Sequence, residues 1–322
     1  MRILLTGKNG QVGFELQRAL APLGEIVAVD QSDCDLADAA AIRRLVAATQ
    51  PGIIVNPAAY TAVDKAESDR SRAQAVNGIA PGVFGAEAAR LGALVVHYST
   101  DYVFGGSKAG FYTEDDVPHP QSIYGKTKLA GEQALAASGA RYLTFRTSWV
   151  FGAHGANFAK TMLRLAAERS SLKVVADQFG APTSAALIAD VTAQIVGQYA
   201  QKCRHASADL PEGRRTPRSG GLERSEGFGE AEHFPYGLYH LVAAGRTNWH
   251  EYAQAVVQAA LAAGKPLRLR PDDVQAITTA EYPLPAPRPA NSCLDTTRLR
   301  NTFGLCLPDW RHGLQHVLTQ LL

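Results

Sequence analysis

Short, wholly apolar runs recur along the chain, with amphipathic stretches between them. "RILLT", "EIVAVD", "GIIVNPA" and "ALVVHYST" are separated by a helical stretch from Gly10 onward, by "AAAIRRLVAATQ" and by a long helical pattern reaching Arg90. A strand with one wet face alternates apolar and polar residues; these runs do not alternate, as expected of strands covered by helices on both faces. The order strand, helix, strand, helix predicts an α/β protein built on a doubly wound parallel sheet. Next come a loop over 105–121 rich in Gly, Asp and Pro, a helix from Tyr124 to Ala137, and the strand "RYLTFRTSWVF".

After Trp149 the rhythm loosens. "NFAKTMLRLAAER" reads as a helix and "LKVVAD" as a short strand, and a further helix begins just past Pro182 and Thr183. Residues 201–236 hold many Gly, Pro, Ser, Arg and Glu and few aliphatics. Such a stretch cannot offset its ordering entropy and reads as a disordered surface insertion. "YGLYHLVAAG" resumes as a buried strand, "TNWHEYAQAVVQAALAAG" is a helix capped by Thr or Asn, and the Pro-rich "AEYPLPAPRPANS" leads to the C-terminal helices.

Composition narrows the partners. A chain of 322 residues with 46% apolar side chains can bury a sizeable core, and 32 basic against 30 acidic groups leave a net charge of +2. There is no basic field for a nucleic-acid backbone. Apolar runs such as "GALVVHY" fall far short of the roughly 20 residues that cross a bilayer, and "MRILLTGKNG" lacks the features of a signal peptide. The expectation is a cytoplasmic protein that binds neither nucleic acid nor membrane. Cys34, Cys203, Cys293 and Cys306 are scattered and the histidines fall into no metal-site spacing, so no metal is expected.

The chemistry concentrates in four places. "LLTGKNGQVGFEL" sets Gly7, Gly10 and Gly13, with Gln11 and Val12 between them, where the first strand turns into the first helix. Glycines there permit a tight turn and let a pyrophosphate rest on the helix N-terminus, so the bland alternative, an ordinary glycine-rich turn, is disfavoured by the position. Asp30 closes the second strand, where a carboxylate binds the ribose hydroxyls of NAD, while Lys8 in the glycine loop can offset the extra phosphate of NADP. Either cofactor is therefore expected. Asp35 and Leu36 lie where adenine would sit, though an Asp there is as readily a helix cap. In "NPAAYTAVDKAESD", Ala58 and Ala59 permit close cofactor approach; Asn56, Tyr60 and the later Asn77 either face it or satisfy loop backbone groups.

"HYSTDYVFGG" and "SIYGKTKLAGE" complete the pattern. Tyr124 and Lys128 stand four apart on one helix face. The lysine charge would draw the phenol down from its ordinary pKa of about 10 towards working pH, which suits a general acid. Thr100, at the tip of the fourth strand, supplies a hydroxyl to the same reacting oxygen. A Tyr and a Lys at this spacing arise by chance on many helices; their order after the glycine loop and the Ser-Thr-Asp triplet makes the set specific.

The stretches "TGKNGQVG", "NPAAYTAVDKAE", "AVNG", "HYSTDYVFGG", "YGKTKLAGE", "RTSWVFG", "GAPTSA" and "RPANSCLDTTRL" resemble the extended short-chain dehydrogenase/reductase superfamily. Within it the chain is similar to the family that reduces dTDP-4-dehydro-L-rhamnose, nearly end to end except over 201–236. The resemblance implies a Rossmann-type domain over 1–148, with returns near 174–200 and 237–243, interleaved with a smaller substrate-binding domain from 149–173 and 244–322. It implies NADH or NADPH as hydride donor, in the synthesis of rhamnose for cell-surface polysaccharide such as lipopolysaccharide. Tyr124 would donate the proton, Lys128 would bind the nicotinamide ribose, and Thr100 would complete the catalytic trio. Thr61, Val63, Thr100, Asp101, Tyr124, Trp149, Arg288 and Asn291 would face the sugar nucleotide. Some members of the family form a magnesium-linked dimer through glutamates; Glu15 fits, but Leu187 stands where another glutamate belongs, so a monomer or weak homodimer without metal is expected. Two rivals remain: an epimerase or dehydratase of the superfamily, and a non-catalytic protein similar to the regulatory subunit of methionine adenosyltransferase.

Overall fold

The computed structural model describes residues 1–208 and 234–322. The first half runs β1 (Arg2–Leu5), α1 (Gln11–Leu20), β2 (Glu25–Ala28), α2 (Ala39–Thr49), β3 (Ile53–Asn56), α3 (Val63–Ala66), α4 (Arg70–Ala73), a π-helical turn (Gln74–Ile79), α5 (Ala80–Leu91), β4 (Leu94–Thr100), α6 (Ile123–Ala136) and β5 (Arg141–Thr147). There follow β6 (Val150–Phe151), α7 (Phe158–Glu168), β7 (Leu172–Val175), β8 (Phe179–Gly180), β9 (Thr183–Ser184), α8 (Ala185–Ala208), β10 (Gly237–His240), β11 (Thr247–Asn248), α9 (Trp249–Ala262), β12 (Val274–Ile277), α10 (Thr297–Phe303) and α11 (Trp310–Leu321).

Six strands form the central sheet in the order β10-β5-β4-β3-β1-β2, every pair parallel. From β1 the chain steps outward to β2 and returns to β3 on the other side. That reversal opens a crevice at the C-terminal ends of the strands, the place where such sheets bind ligands. Both faces are covered, as the unbroken apolar runs require. Leu16, Leu20, Ile188 and Ile195 of α1 and α8 pack on one face, and Ile42, Val46, Phe84 and Ala88 of α2 and α5 on the other. A third cluster, which includes Met162, Val256, Trp310 and Leu314, joins α7, α9 and α11 beside the sheet.

Four features depart from the sequence expectations. The strand "RYLTFRTSWVF" breaks after Thr147, because Trp149 takes a left-handed backbone (φ 50°) and β6 leaves the sheet to pair with β9. The long helix to Arg90 is instead α3, α4, the π turn and α5. Residues 201–208, expected within the disordered insertion, continue α8, and Phe234 packs edge-on against Tyr199 at 5.3 Å; residues 209–233 of that expected insertion lie outside the described residues. Leu299, Phe303 and Leu307 pack into the cluster under the sheet, so part of 244–322 belongs to the core of the first half. Among the described residues no helix is long and apolar enough to cross a membrane.

One polar contact inside this core joins α6 to β5. Arg146 donates from Nε to Glu132 Oε1 at 2.9 Å and from Nη2 to Oε2 at 2.7 Å, with side chains only 3% and 8% exposed. Removing one partner strands a buried charge, so Arg146→Met is expected to cost about 3–5 kcal/mol. The double variant Glu132→Met/Arg146→Met should cost less than Arg146→Met alone. Denaturant unfolding of the three proteins checks this, and a double variant less stable than the single would contradict it.

Candidate active site

A cleft of about 680 Å³ follows the crevice, walled by the loops after β1 to β5 and by α6. Its floor is the glycine turn. Gly7 has φ 61°, and a Cβ on Gly13 would sit 2.0 Å from the Gly7 carbonyl oxygen, so the turn can press against α1 only if both residues are glycine. α1 begins with no side-chain cap and no acid in its first turn. Its N-terminal N–H groups and dipole are thus left for an anion. The turn is also tied across the cleft: Asn157 donates to Gln11 at 3.1 Å, His154 Nε2 lies 2.9 Å from the Asn9 carbonyl, and Phe14 stacks on His154. Gly7, Gly10, Gln11, Val12 and Gly13 all line the cleft, as a dinucleotide requires.

At one end the walls are wet and charged. Asp30 accepts from the Ser32 hydroxyl at 2.7 Å and its N–H at 2.9 Å, which holds its carboxyl below the usual range, and from the Asn9 amide. Lys8 does not face the cleft as expected; its ammonium is held by Asp33 at 2.6 Å. Asp35 and Leu36 line the cleft, and so does Arg72, which the sequence did not single out. Ala58, Ala59 and Tyr60 form the facing bank. Asn77 does not line the cleft: its Oδ1 accepts from the Tyr60 N–H at 2.8 Å and its Nδ2 donates to the Tyr60 carbonyl at 3.0 Å, so it fixes that bank from behind. Asn56 is likewise internal, accepting from Thr6 at 2.6 Å.

The other end is dry. Tyr124 and Lys128 both line the cleft, carried there by α6, which Ser122 caps by accepting from the Gly125 N–H at 3.1 Å. The helix lies flush on the turn after β4: a Cβ on Gly125 would come within 2.2 Å of the Tyr102 carbonyl oxygen. Thr100 donates to Asp101 at 3.0 Å and accepts from the Tyr102 N–H at 3.2 Å. Burial pushes the Tyr124 phenol up to about 12, Asp101 adding to the rise and the Thr100 hydroxyl opposing it. This reverses the expected direction. The Lys128 ammonium, itself lowered to about 8 by burial, donates to the Tyr98 carbonyl at 2.5 Å and faces His97 Nε2 at 3.4 Å, so it does not draw the phenol down.

Thr61, Val63, Asp101 and Trp149 line the cleft beside this pair, and Trp149 stacks on Trp249 at 3.7 Å. Arg288 and Asn291 do not line it. Arg288 is paired with Asp64 at 2.7 Å, and Asn291 donates to the carbonyls of Lys108 and Gly110 at 2.8 and 2.6 Å, so both fasten the C-terminal segment over neighbouring loops. Glu15 pairs with Arg18 at 3.5 Å, and Leu187 is packed among apolar residues. Among the described residues no group of His, Cys, Asp and Glu could hold a metal ion.

A dinucleotide laid along the glycine turn would bring its far end to a buried phenol and an ammonium on one helix face, and the chain is accordingly an NAD(P)-dependent oxidoreductase with a Rossmann-type sheet. Its residues 1–209 and 227–322 match the family described as RmlD substrate binding domain, and the chain belongs to that family. It is similar to a Burkholderia thailandensis protein named dTDP-4-dehydrorhamnose reductase, with 46% identity over 322 residues covering 100% of this chain and 99% of the relative. A solved dTDP-4-dehydrorhamnose reductase from Clostridium acetobutylicum matches with a TM-score of 0.83 at 33% identity, covering 100% of this chain and 99% of the other. One from Bacillus anthracis, solved in complex with NADP, matches with a TM-score of 0.80 at 31% identity, covering 99% of each chain.

Asp101 gives this site a pH-dependent stability. Burial raises its carboxyl to about 6, with the hydroxyls of Ser292 and Thr100 opposing. Its unfolded value is about 3.9, so the folded state holds the proton more tightly, and above about pH 6 the ionised group carries a penalty of about 2–3 kcal/mol that disappears as pH falls towards 4. Asp101→Asn should therefore stabilise the protein at pH 8 and change it little at pH 4. Denaturant midpoints at the two pH values check this; an equal effect at both would contradict it.

Proposed function

We propose that the protein reduces the 4-keto group of dTDP-4-dehydro-L-rhamnose, giving dTDP-L-rhamnose, with NADH or NADPH as reductant. The observation that carries the reading is the placement of Tyr124, Lys128 and Thr100 together on the cleft wall, in a chain matched over its whole length by reductases of that name. The bound cofactor would supply a hydride to the keto carbon. Tyr124 arrives protonated, since burial holds its phenol near 12, and can give that proton to the sugar oxygen as charge develops there. Thr100, on the same wall, would turn its hydroxyl from Asp101 to that oxygen. Lys128 stands one turn along from Tyr124, where its ammonium would hold the nicotinamide ribose. Asp101, Thr61 and Val63 would border the sugar, with Trp149, braced on Trp249, as an apolar wall.

An epimerase or dehydratase would return its cofactor to the starting state, and a regulatory subunit would bind it without turnover. The names of the full-length relatives favour the reductase over both. The same reading takes 1–148 with α8 and β10 as the cofactor-binding part, and 149–173 with most of 244–322 as the substrate-binding part. It makes the protein a cytoplasmic monomer or weak homodimer that supplies a rhamnose-containing polysaccharide.

Tyr124→Phe keeps the ring and removes one hydroxyl, so the dissociation constant for NADPH should hold while kcat falls by about 10² or more. Wild-type turnover in this variant would end the proposal. Lys128→Met should weaken cofactor binding as well as turnover. Because the Lys128 ammonium is lowered to about 8, it is charged below that pH and lost as pH rises through it; cofactor affinity should fall over the same range in the wild type and stay flat in Lys128→Met. Direct titration with NADPH between pH 6 and 9.5 reads this.

A further inference from the structure

Three polar side chains interrupt the apolar face of the sheet beneath α6. Thr6 just past β1, Asn56 at the end of β3 and His97 in β4 stand on neighbouring strands, Asn56 and His97 directly in register, and all three are buried. Polar groups taken out of water are costly unless each finds its partner. The row ends on Lys128, whose Nζ lies 3.4 Å from His97 Nε2.

Donors and acceptors along the row are ordered from its far end. The Thr6 hydroxyl accepts the Ala58 N–H at 3.4 Å and lies 2.6 Å from the Asn56 side chain. That second distance is ordinary for a hydroxyl donating to an oxygen and short for an amide N–H, so Asn56 Oδ1 faces Thr6. Asn56 Nδ2 is thereby turned to His97 Nδ1, at 3.3 Å. An amide nitrogen only donates, so Nδ1 keeps its lone pair and the single hydrogen of a neutral ring sits on Nε2. The ring is neutral: burial and the Lys128 charge hold it well below its ordinary value, with the Asn56 main-chain carbonyl opposing. Its Nε2–H therefore points at Lys128. A free amine accepts that hydrogen; an ammonium has no lone pair to do so.

The other groups around Lys128 are spoken for. Burial lowers it and Glu132 opposes, that carboxylate being itself tied to Arg146 of β5. Tyr124, and Asp101 and Tyr102 after β4, are drawn by burial towards their neutral forms. On α3, α4 and α5, which also pack on α6, Asp64 is held by Arg288, Arg72 by Asp35 and Glu87 by Arg43 and Arg90, while Lys65 and Arg70 are exposed. Glu67 accepts the Ile123 N–H.

We infer that His97 is a positioning residue for Lys128: Thr6 and Asn56 hold its ring with the Nε2 hydrogen towards the amine, so the row favours the uncharged lysine and governs when a cation is present in the cleft. The inference rests on the reading of Lys128 as the cation that holds the cofactor, and adds to it the group that controls its charge.

Two measurements test it. With isotopically labelled ring nitrogens, NMR of the wild type without cofactor should show His97, identified as the signal missing from His97→Gln or His97→Asn, with its hydrogen on Nε2. A hydrogen on Nδ1, directed to the Asn56 carbonyl, overturns the inference. The second is calorimetric titration with NADPH between pH 6 and 9.5. In His97→Gln the amide can turn its oxygen to the ammonium, so the pH at which affinity is lost should move up by about half a unit or more, the worth of about one hydrogen bond. A midpoint that stays in place, with affinity lowered equally at every pH, makes His97 a packing residue and overturns the inference. A midpoint that moves down does so too, since Nε2 would then have been accepting from the ammonium. A wild-type profile as flat as that of Lys128→Met would instead end the reading of Lys128 as the cofactor's cation, while the tautomer of His97 still decides the inference.

Discussion

The dry end of the cleft, with Tyr124 and Lys128, hangs on the buried ion pair between Glu132 and Arg146. Tyr124, Lys128 and Glu132 follow one another at intervals of four along α6 and so form one stripe on its face. Two charges taken out of water are tolerated only in good mutual geometry. The two parallel bonds of this pair provide it, with the Phe104 ring against the guanidinium at 5.0 Å. Sliding or rotating α6 by one residue would break both bonds in a dry core, which fixes where Lys128 and Tyr124 arrive. Arg146 also lies just ahead of the Thr147–Trp149 corner, so the same pair references both the helix that carries the phenol and the strand that delivers the apolar wall.

The two ends of the cleft are built on different physics. Around the phenol, burial pushes Tyr124 up, Lys128 down and Asp101 up, each towards its neutral form. A dry site with few fixed charges lets each hydrogen bond to a developing negative oxygen count for more than it would in water. At the wetter end, Lys8 pairs with Asp33 and Arg72 with Asp35, all partly exposed, and Asp30 accepts from Ser32 and Asn9. On the proposed function, chemistry would take place where water is excluded, and recognition of a charged, solvated cofactor where it is not. Asn77, behind the Tyr60 loop, joins these ends: the π turn that carries it also packs against α6 and ties the Tyr60 bank to that helix.

Much of this was legible in the sequence because it depends on local pattern. The apolar runs gave the parallel strands, and the spacing of Gly7, Gly10 and Gly13 and of Tyr124 and Lys128 gave the residues that meet in the cleft. What was not legible depends on partners distant in sequence. Lys8 reads as a free cation until Asp33 is seen to hold it, and Arg288 as a ligand group until Asp64 is seen to claim it. The phenol reads as acidified until burial and Asp101 are weighed against an ammonium already committed to the Tyr98 carbonyl. The break at Trp149 left no trace in hydrophobicity, since a left-handed tryptophan is imposed by its surroundings; such backbone is costly and tends to occur at functional sites. The helical 201–208 was missed because polar residues on an extended α8 resemble the composition of a loop.

The central claim is that the cleft delivers a hydride to a sugar ketone and leaves it there as an alcohol. It is tested most directly by supplying the wild-type protein with dTDP-4-dehydro-L-rhamnose and NADH or NADPH deuterated at nicotinamide C4, once on each face, and reading the product by NMR. With one of the two labelled faces, deuterium should appear at sugar C4, one label for each reduced cofactor consumed. A product still carrying its ketone, or one formed without net consumption of cofactor, would contradict the account and favour the epimerase or dehydratase reading instead.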